Sequence, residues 1–559
     1  MRGLPLDSPP KSHGFKTAIA RTLGFLVLLS TTGFLLATHR PLFSFLHTPE
    51  RASSRDFPRL PVSCPAQLPG LAPPISFEIP ADDAARRVYV DRLRGAVRVR
   101  TETFDGAPAS GADGWYDKFY DFEAYLTETF PDVFAALKLE HFATHGLLLT
   151  WEGSDSTLEP IILMAHQDTV PVPEETVARW THPPFAAVLD EEGWVWGRGA
   201  GDCKNLLIAE LSAVSALLSA GFTPTRTVHL AYGFDEEGGG VRSARYIAEH
   251  LEDVHGLDSV LLIVDEGGGV SESHGQTWVA PSTGEKGSVN IRVSVNVPGG
   301  HSSIPPAHTA IGILSSFVTT VEAHPPPVVL SAANPFSTFA VCLAEYGTID
   351  PVLKGLLAHE RTWPAAAAFL AAGDPGDAAR LSTTQAVDIV GGGVKVNALP
   401  EEAHAIVNHR VSVDDSIQKI YERYEALLAP EAARFNLSVV GFGEDPPAGV
   451  TRYLQLSSPY GAEASPVTPA SGSAWEIFSR TSRHLWPGAI VVPYLSTGGT
   501  DTRSYVNLTS AIFRFQGVRD TERYNIHTVD ERVHVLRNGH LNAIAWVHAL
   551  IQNADAFRQ

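Results

Sequence analysis

Five acids and two histidines stand where apolar runs or glycine loops stop. PIILMAHQDTVPV supplies His166 and Asp168, and GRGAGDCKN supplies Asp202. YGFDEEGGG supplies Glu236 and Glu237, LLIVDEGGG supplies Asp265, and YNIHTVDERV supplies His527. Singly, each has an ordinary explanation. A histidine after an apolar run is usually a hydrogen-bonded core residue, and an aspartate at a strand end usually caps a turn. Together they have another. A zinc ion takes about four ligands, one of them water at a catalytic site. Two imidazoles, two terminal carboxylates and one bridging carboxylate would serve two such ions. Two adjacent ions lower the pKa of a bound water and polarise a carbonyl, which is the chemistry of hydrolysis.

These residues need elements that bring them to one edge. From about residue 78, apolar strands alternate with helical stretches, which indicates an α/β sheet. Helices are expected near 119–130, at 204–220 and at 240–251, with strands in GLLLTW, PIILMAH, TVHLAYGF and SVLLIVDEG. In a parallel sheet the C-terminal strand ends line the ligand crevice, so side chains placed there can converge. The rhythm changes near Glu285. GSVNIRVSVNV alternates with period two, and strand, helix, strand, strand, helix, strand follow as far as NLSVVGFG. That is the ferredoxin-like βαββαβ pattern inserted into the larger unit. Its second helix is expected at 415–428, capped by Asp414 and Asp415. A Pro/Ala-rich stretch, 324–381, interrupts it. The resulting division is a tail at 1–21, an apolar run at 22–38 and a stalk at 39–77. A first part of the larger domain at 78–284, the inserted domain at 285–445 and a second part of the larger domain at 446–559 complete it.

HQDTVPV, WGRGAGDCKN, DEEGGG, GGHSSIPP, GGTDTRSY and HTVDERV occur in an order that resembles the co-catalytic zinc aminoacylase/carboxypeptidase family, the M20 metallopeptidases. The carboxypeptidase S branch, the Gly-X carboxypeptidases, is the most similar. The resemblance runs from about residue 80 to the end. It implies a zinc-peptidase α/β domain with a mixed sheet, interrupted by a lid. It also implies two Zn2+ per chain, one held by His166, Asp202 and Asp265, the other by Asp202, Glu237 and His527. Glu236 would be the general base, and Asp168 would orient the His166 imidazole. Gly238–Gly240 would leave room beside the metal-bound water. His301 in PGGHSSIP resembles the lid histidine that steadies the tetrahedral oxyanion, in many members from a partner subunit, which implies a homodimer. Arg410 and Asn397 match lid residues that hold a substrate's terminal carboxylate, and the loop with Gly499 and Thr500 would touch substrate through its backbone. A cis peptide bond is implied between Asp202 and Cys203, with the Cys203 side chain packed inward.

The function so implied is a dizinc carboxypeptidase acting on short peptides with a free C-terminal carboxylate, with glycine in the penultimate position as the branch suggests. An N-acyl amino acid amidohydrolase would use the same centre. A catalytically inactive binding protein would not need Glu236, and no G-x-S-x-G elbow points to a serine hydrolase.

Bulk properties agree. With 42 basic and 62 acidic residues the formal net charge is −20, which argues against a nucleic-acid partner. The three cysteines, Cys64, Cys203 and Cys342, form no framework. Cys203 lies in a motif, so at most Cys64 and Cys342 can pair. Lys11, Lys16 and Arg21 precede the apolar run 22–38. That run is at the short edge of a membrane span, and the charge keeps the N-terminus cytoplasmic. A single-pass type II membrane protein is expected, with its body in the lumen of the vacuole or another secretory compartment; a cleaved signal peptide is the alternative reading of the same run. The sequons at Asn436 and Asn507 suit a glycoprotein.

Overall fold

A computed structural model describes residues 61–104, 106–108, 114–536 and 539–558. The expected anchor at 22–38 lies outside the described residues. Among the described residues, no helix is long and apolar enough to cross a membrane.

The elements that place the site are numbered here in chain order. β1 (Lys138–Phe142), β2 (Gly146–Trp151) and β3 (Ile161–His166) precede α1 (Lys204–Ser219) and β4 (Val228–Gly233). α2 (Ala244–His255), β5 (Leu262–Ser273) and β6 (Ser282–Glu285) follow. β7 (Gly287–Asn296), α3 (Ala310–Glu322), α4 (Pro335–Tyr346), β8 (Ala386–Gly392) and β9 (Glu402–Val411) come next. α5 (Ile417–Arg434), β10 (Ser438–Val440), β11 (Tyr453–Ala462), β12 (Tyr494–Ser496), β13 (Ile512–Arg519) and α6 (Gly539–Ala556) complete the set.

The larger sheet runs β1-β2-β4-β3-β5-β13-β6-β12 along its main path. β3 is parallel to β4 and β5, and β5 to β13, whereas β1, β2 and β4 pair antiparallel, so the sheet is mixed. β3, IILMAH, is buried throughout. Its alternate residues enter two cores: Ile161, Leu163 and Ala165 pack with α1 and α6, while Ile162 and Met164 pack with α2. A strand covered on both faces reads as a continuous apolar run, and its polar residue can only stand at its end. That end is His166. α1 begins at Lys204, directly after the Asp202 loop, and is buried on nearly every side.

The smaller sheet has the order β8-β9-β7-β11-β10 and is backed by α3 and α5.

 Read across the sheet, β7 is central, β9 and β11 flank it, and β8 and β10 form the two edges. β11 lies beyond residue 445, so the smaller sheet extends further than the expected boundary. Its long antiparallel pairing with β7, from Ser288↔Ala462 to Asn296↔Tyr453, carries it there. α5 is capped by the Ser416 hydroxyl, which accepts from Lys419 N, and not by Asp414 or Asp415. The stretch 324–381 folds into helices that pack on the larger sheet's Tyr494 and Leu495, although they lie within 285–445 in sequence. Cys342 of α4 is joined to Cys64. The two chain crossings between the sheets lie side by side, with Ser465 N donating to Glu285 O at 3.0 Å.

Candidate metal and active site

The end of β3, the turn after β4, the interior of β5 and two loops meet at Asp202. His166 Nε2 stands 3.2 Å from Asp202 Oδ1, and His527 Nε2 stands 3.0 Å from Asp202 Oδ2. One carboxylate therefore faces two imidazoles, one per oxygen. Asp202 is held from behind by Glu531, whose Oε1 accepts from Gly201 N (2.8 Å) and Asp202 N (3.1 Å), and whose Oε2 pairs with Arg198. The peptide bond between Asp202 and Cys203 is cis.

His166 is oriented by its own strand extension. Its Nδ1 donates to the Asp168 carbonyl at 3.0 Å, with the Asp168 carboxylate 3.3 Å away, which leaves Nε2 facing the acids. Asp168 also accepts from the backbone of both glutamates: Glu236 N to Oδ1 and Glu237 N to Oδ2, each at 3.1 Å. β4 has already ended at Gly233, and Glu236–Gly238 is a 3₁₀ turn. The two glutamates diverge because of that turn and not because of strand alternation. Glu237 Oε1 lies 3.1 Å from His527 Nε2, while Glu236 Oε1 faces Arg503 at 3.4 Å. Of the glycines behind them, Gly240 answers to Asp501: a Cβ there, where φ is +64°, would collide with its carboxylate.

The acids after β5's apolar run divide differently from the expectation. Glu266 Oε1 is 3.3 Å from His166 Nε2. Asp265 faces the other way, toward Thr500 and Glu285, and burial pushes it up to about 6. Adjacent residues of a strand point to opposite faces, so only one of this pair can enter the cluster. Behind Asp265, Thr500 and Thr502 share a hydroxyl contact at 2.7 Å, and Thr502 bonds Arg514 and Glu285. Thr500 is thus buried in this network, whereas Gly499 lines the cleft.

Two groups of donors emerge: His166, Asp202, Cys203 and Glu266, and Asp202, Glu237 and His527, each with ligand atoms within 4.8 Å of one another. Cys203 belongs to the packing. Its sulfur accepts from His166 N at 3.1 Å, and burial pushes the thiol well up, so it stays protonated. For Asp202, burial would raise the pKa, but the two imidazoles hold it well below the usual range. Burial, then the Asp202 charge, pushes Glu266 well up. Hydrogen bonds to Asp202 and Glu237 push His527 up to about 10. Protonated imidazoles here do what cations would do, and the donor set of imidazole nitrogens and carboxylate oxygens fits two divalent ions sharing Asp202.

A cleft of about 630 Å³ opens on Glu236, Glu237 and His527, and reaches Lys286, Arg410 and Arg503. Arg503, which sequence reasoning passed over, was signalled only by its place two residues after Asp501. His301 and Asn397 lie elsewhere. They are neighbours on a short ribbon, Gly300–His301 paired with Ala398–Leu399, and both are exposed outside that cleft wall.

With this geometry the chain belongs to the peptidase family M20/M25/M40, whose pattern matches residues 162–553. It is an M20 metallopeptidase. It is 35% identical to carboxypeptidase S of Saccharomyces cerevisiae, over 100% of both chains. It is 30% identical to the N-fatty-acyl-amino acid synthase/hydrolase of Mus musculus, over 84% of this chain and 88% of that one. Among solved structures, the M20 family metallo-carboxypeptidase of Sulfolobus solfataricus shares the fold (TM-score 0.57, 16% identity, 84% of this chain and 99% of that one). Human carnosine dipeptidase 1 does so too (TM-score 0.59, 12% identity, 85% and 97%).

Proposed function

We propose that the protein is a dizinc carboxypeptidase that releases the C-terminal residue of short peptides. The observation that carries this reading is the position of Asp202 between the His166 and His527 imidazoles. His166, Asp202 and Glu266 would hold one zinc, with Glu266 taking the place expected for Asp265. Asp202, Glu237 and His527 would hold the other. The two ions supply Lewis acidity toward the scissile carbonyl and the attacking water. Glu236 removes the water's proton and returns it to the leaving amine nitrogen. Arg503 keeps the Glu236 carboxylate aimed at the cleft. Arg410 binds the terminal carboxylate with its planar fork, and the Gly499 backbone borders the same space.

The cleft wall also bears on substrate class. It is built largely of charged and small residues, with Val506 as its one aliphatic branch among the described lining residues. Such a wall suits a short peptide better than a fatty acyl chain. The second reading, hydrolysis of N-acyl amino acids, is favoured by the similarity to the mouse enzyme and needs the same metal centre.

His301 and Asn397 would complete the site of a second copy in a homodimer. Supporting this, β8 is an edge strand with Ile389 and Val390 exposed, and Val394 and Val396 beside it are 100% and 98% exposed. A lumenal body anchored through 22–38 is supported by the Cys64–Cys342 disulfide, which persists in oxidising compartments, and by the exposure of Asn436 and Asn507.

The test is a substrate panel on the zinc-loaded protein. Higher kcat/KM on N-blocked dipeptides than on N-fatty-acyl amino acids is expected, and the reverse order would replace this reading with the second.

A further inference from the structure

Lys286 is the single residue between β6 of the larger sheet and β7 of the smaller one. It is 3% exposed, and its ammonium donates to Ala379 O at 2.7 Å and Ser382 O at 2.8 Å. Those carbonyls close the last helix of the inserted stretch, Pro375–Arg380. A lysine suits the carbonyl end of a helix. Burying its charge is nevertheless costly; a methionine would fill the same space without the charge but would leave these two carbonyls without this donor, so what the lysine adds is the tie itself.

What lies two residues beyond gives it a use. Thr384 grips the backbone of Arg410 from both sides: Thr384 N donates to Arg410 O at 3.0 Å, and Arg410 N donates to Thr384 Oγ1 at 3.1 Å. Thr383 Oγ1 accepts from Ser412 N at 3.1 Å, and His409 Nδ1 meets Thr384 O at 2.9 Å. The segment 382–384 is therefore the brace on the end of β9, and Lys286 fastens its start. The inserted stretch is fixed in turn to the larger body through Cys342 and Leu495.

We infer that Lys286 is a positioning residue for substrate-carboxylate recognition, holding the inserted stretch's last turn so that Thr384 sets Arg410 over the catalytic cleft. This rests on the carboxypeptidase reading. It assigns the inserted stretch a role: it ties the arginine on the smaller-sheet side of the cleft to the body that carries the catalytic glutamates.

The experiment uses the full chain and an N-blocked dipeptide, with kcat and KM measured separately. Lys286→Met is expected to raise KM about tenfold with kcat within about twofold, as loss of binding without loss of chemistry requires. Thr384→Val should shift KM in the same direction, and Lys286→Arg should restore most of it. A double-mutant cycle separates indirect from direct action. If Lys286 acts through Arg410, Lys286→Met adds nothing to KM in an Arg410→Ala background. If the two losses multiply, Lys286 touches substrate itself and the inference fails. It fails equally if Lys286→Met and Thr384→Val both leave KM unchanged while Arg410→Ala raises it. An unchanged KM in Arg410→Ala would instead overturn the carboxylate reading. Circular dichroism and a melting temperature no lower than that of the parent show that Lys286→Met is folded; a lower melting temperature leaves Thr384→Val to decide by the same KM criterion.

Discussion

The two sheets treat their functional residues in opposite ways. Around the larger sheet, side chains a hundred residues or more apart in sequence close to about one hydrogen-bond length: Glu237 and His527 lie 3.1 Å apart, and His166 and Glu266 3.3 Å. On the smaller sheet, Arg410 reaches the cleft from a strand end, and on the separate two-stranded ribbon His301 and the neighbouring Asn397 are exposed. The contrast separates two tasks. In the proposed reading, metal ligation needs fixed geometry, and its groups stand on or just after buried strands and on loops pinned by Asp168 and Glu531. Substrate capture, in the same reading, needs an opening, and its groups stand on the smaller sheet and the ribbon, across two adjacent crossings.

Breaking the larger-sheet half should have the largest effect. Glu236→Gln keeps the shape of the side chain and removes the base, so kcat should fall by at least ~10², with metal content intact by elemental analysis. Loss of metal instead would mean that Glu236 and Glu237 have exchanged roles.

Breaking the smaller-sheet half should cost less. His301→Ala should lower kcat by about 10², as expected for a lost oxyanion donor, with no change in metal content. The contrast sharpens on mixing this variant with Glu236→Gln. If His301 serves the partner's site, random pairing of subunits returns roughly a quarter of parental activity. No recovery, with subunit exchange demonstrated, would place His301 in its own chain's site. Arg410→Lys keeps charge but loses the fork, and should raise KM about tenfold with little change in kcat.

The smallest effect concerns pH. His409 of β9, buried against α5 and bonded to Tyr424 at 2.8 Å, is pushed by burial down to about 4. An unfolded histidine titrates near 6.5, so between those values the unfolded chain binds more protons. Stability is then lost as pH falls from about 6.5 toward 4. The melting temperature should drop by a few degrees over that range, with a shallower slope in His409→Asn.

Most of the larger-sheet site was legible because apolar runs stop at their functional residues. HQD, GDCKN and FDEEGGG announce their places in this way. The sequence reading places Asp265 in the cluster. LLIVDEGGG carries two adjacent acids within β5, and which of them enters the cluster depends on the register of β5 against β3. That register brings Glu266 to His166 and turns Asp265 toward Thr500. β11 was missed because RYLQLSSPYGA carries few apolar residues, its pairing with β7 being supplied mostly by backbone. The packing of 324–381 on the larger body was also hidden, because its helices are marked by alanine and proline and carry no sign of which sheet they cover. Arg503 escaped although it lies inside GGTDTRSY, because that motif is read for its glycines and Thr500 and not for its arginine.

The central claim is that two metal ions sit on this strand-end cluster with Glu266, and not Asp265, as a ligand. Elemental analysis of the zinc-loaded parent, Glu266→Gln and Asp265→Asn tests it most directly. The account predicts about two ions per chain in the parent and in Asp265→Asn, and about one in Glu266→Gln. Loss of an ion from Asp265→Asn with both retained in Glu266→Gln would contradict it.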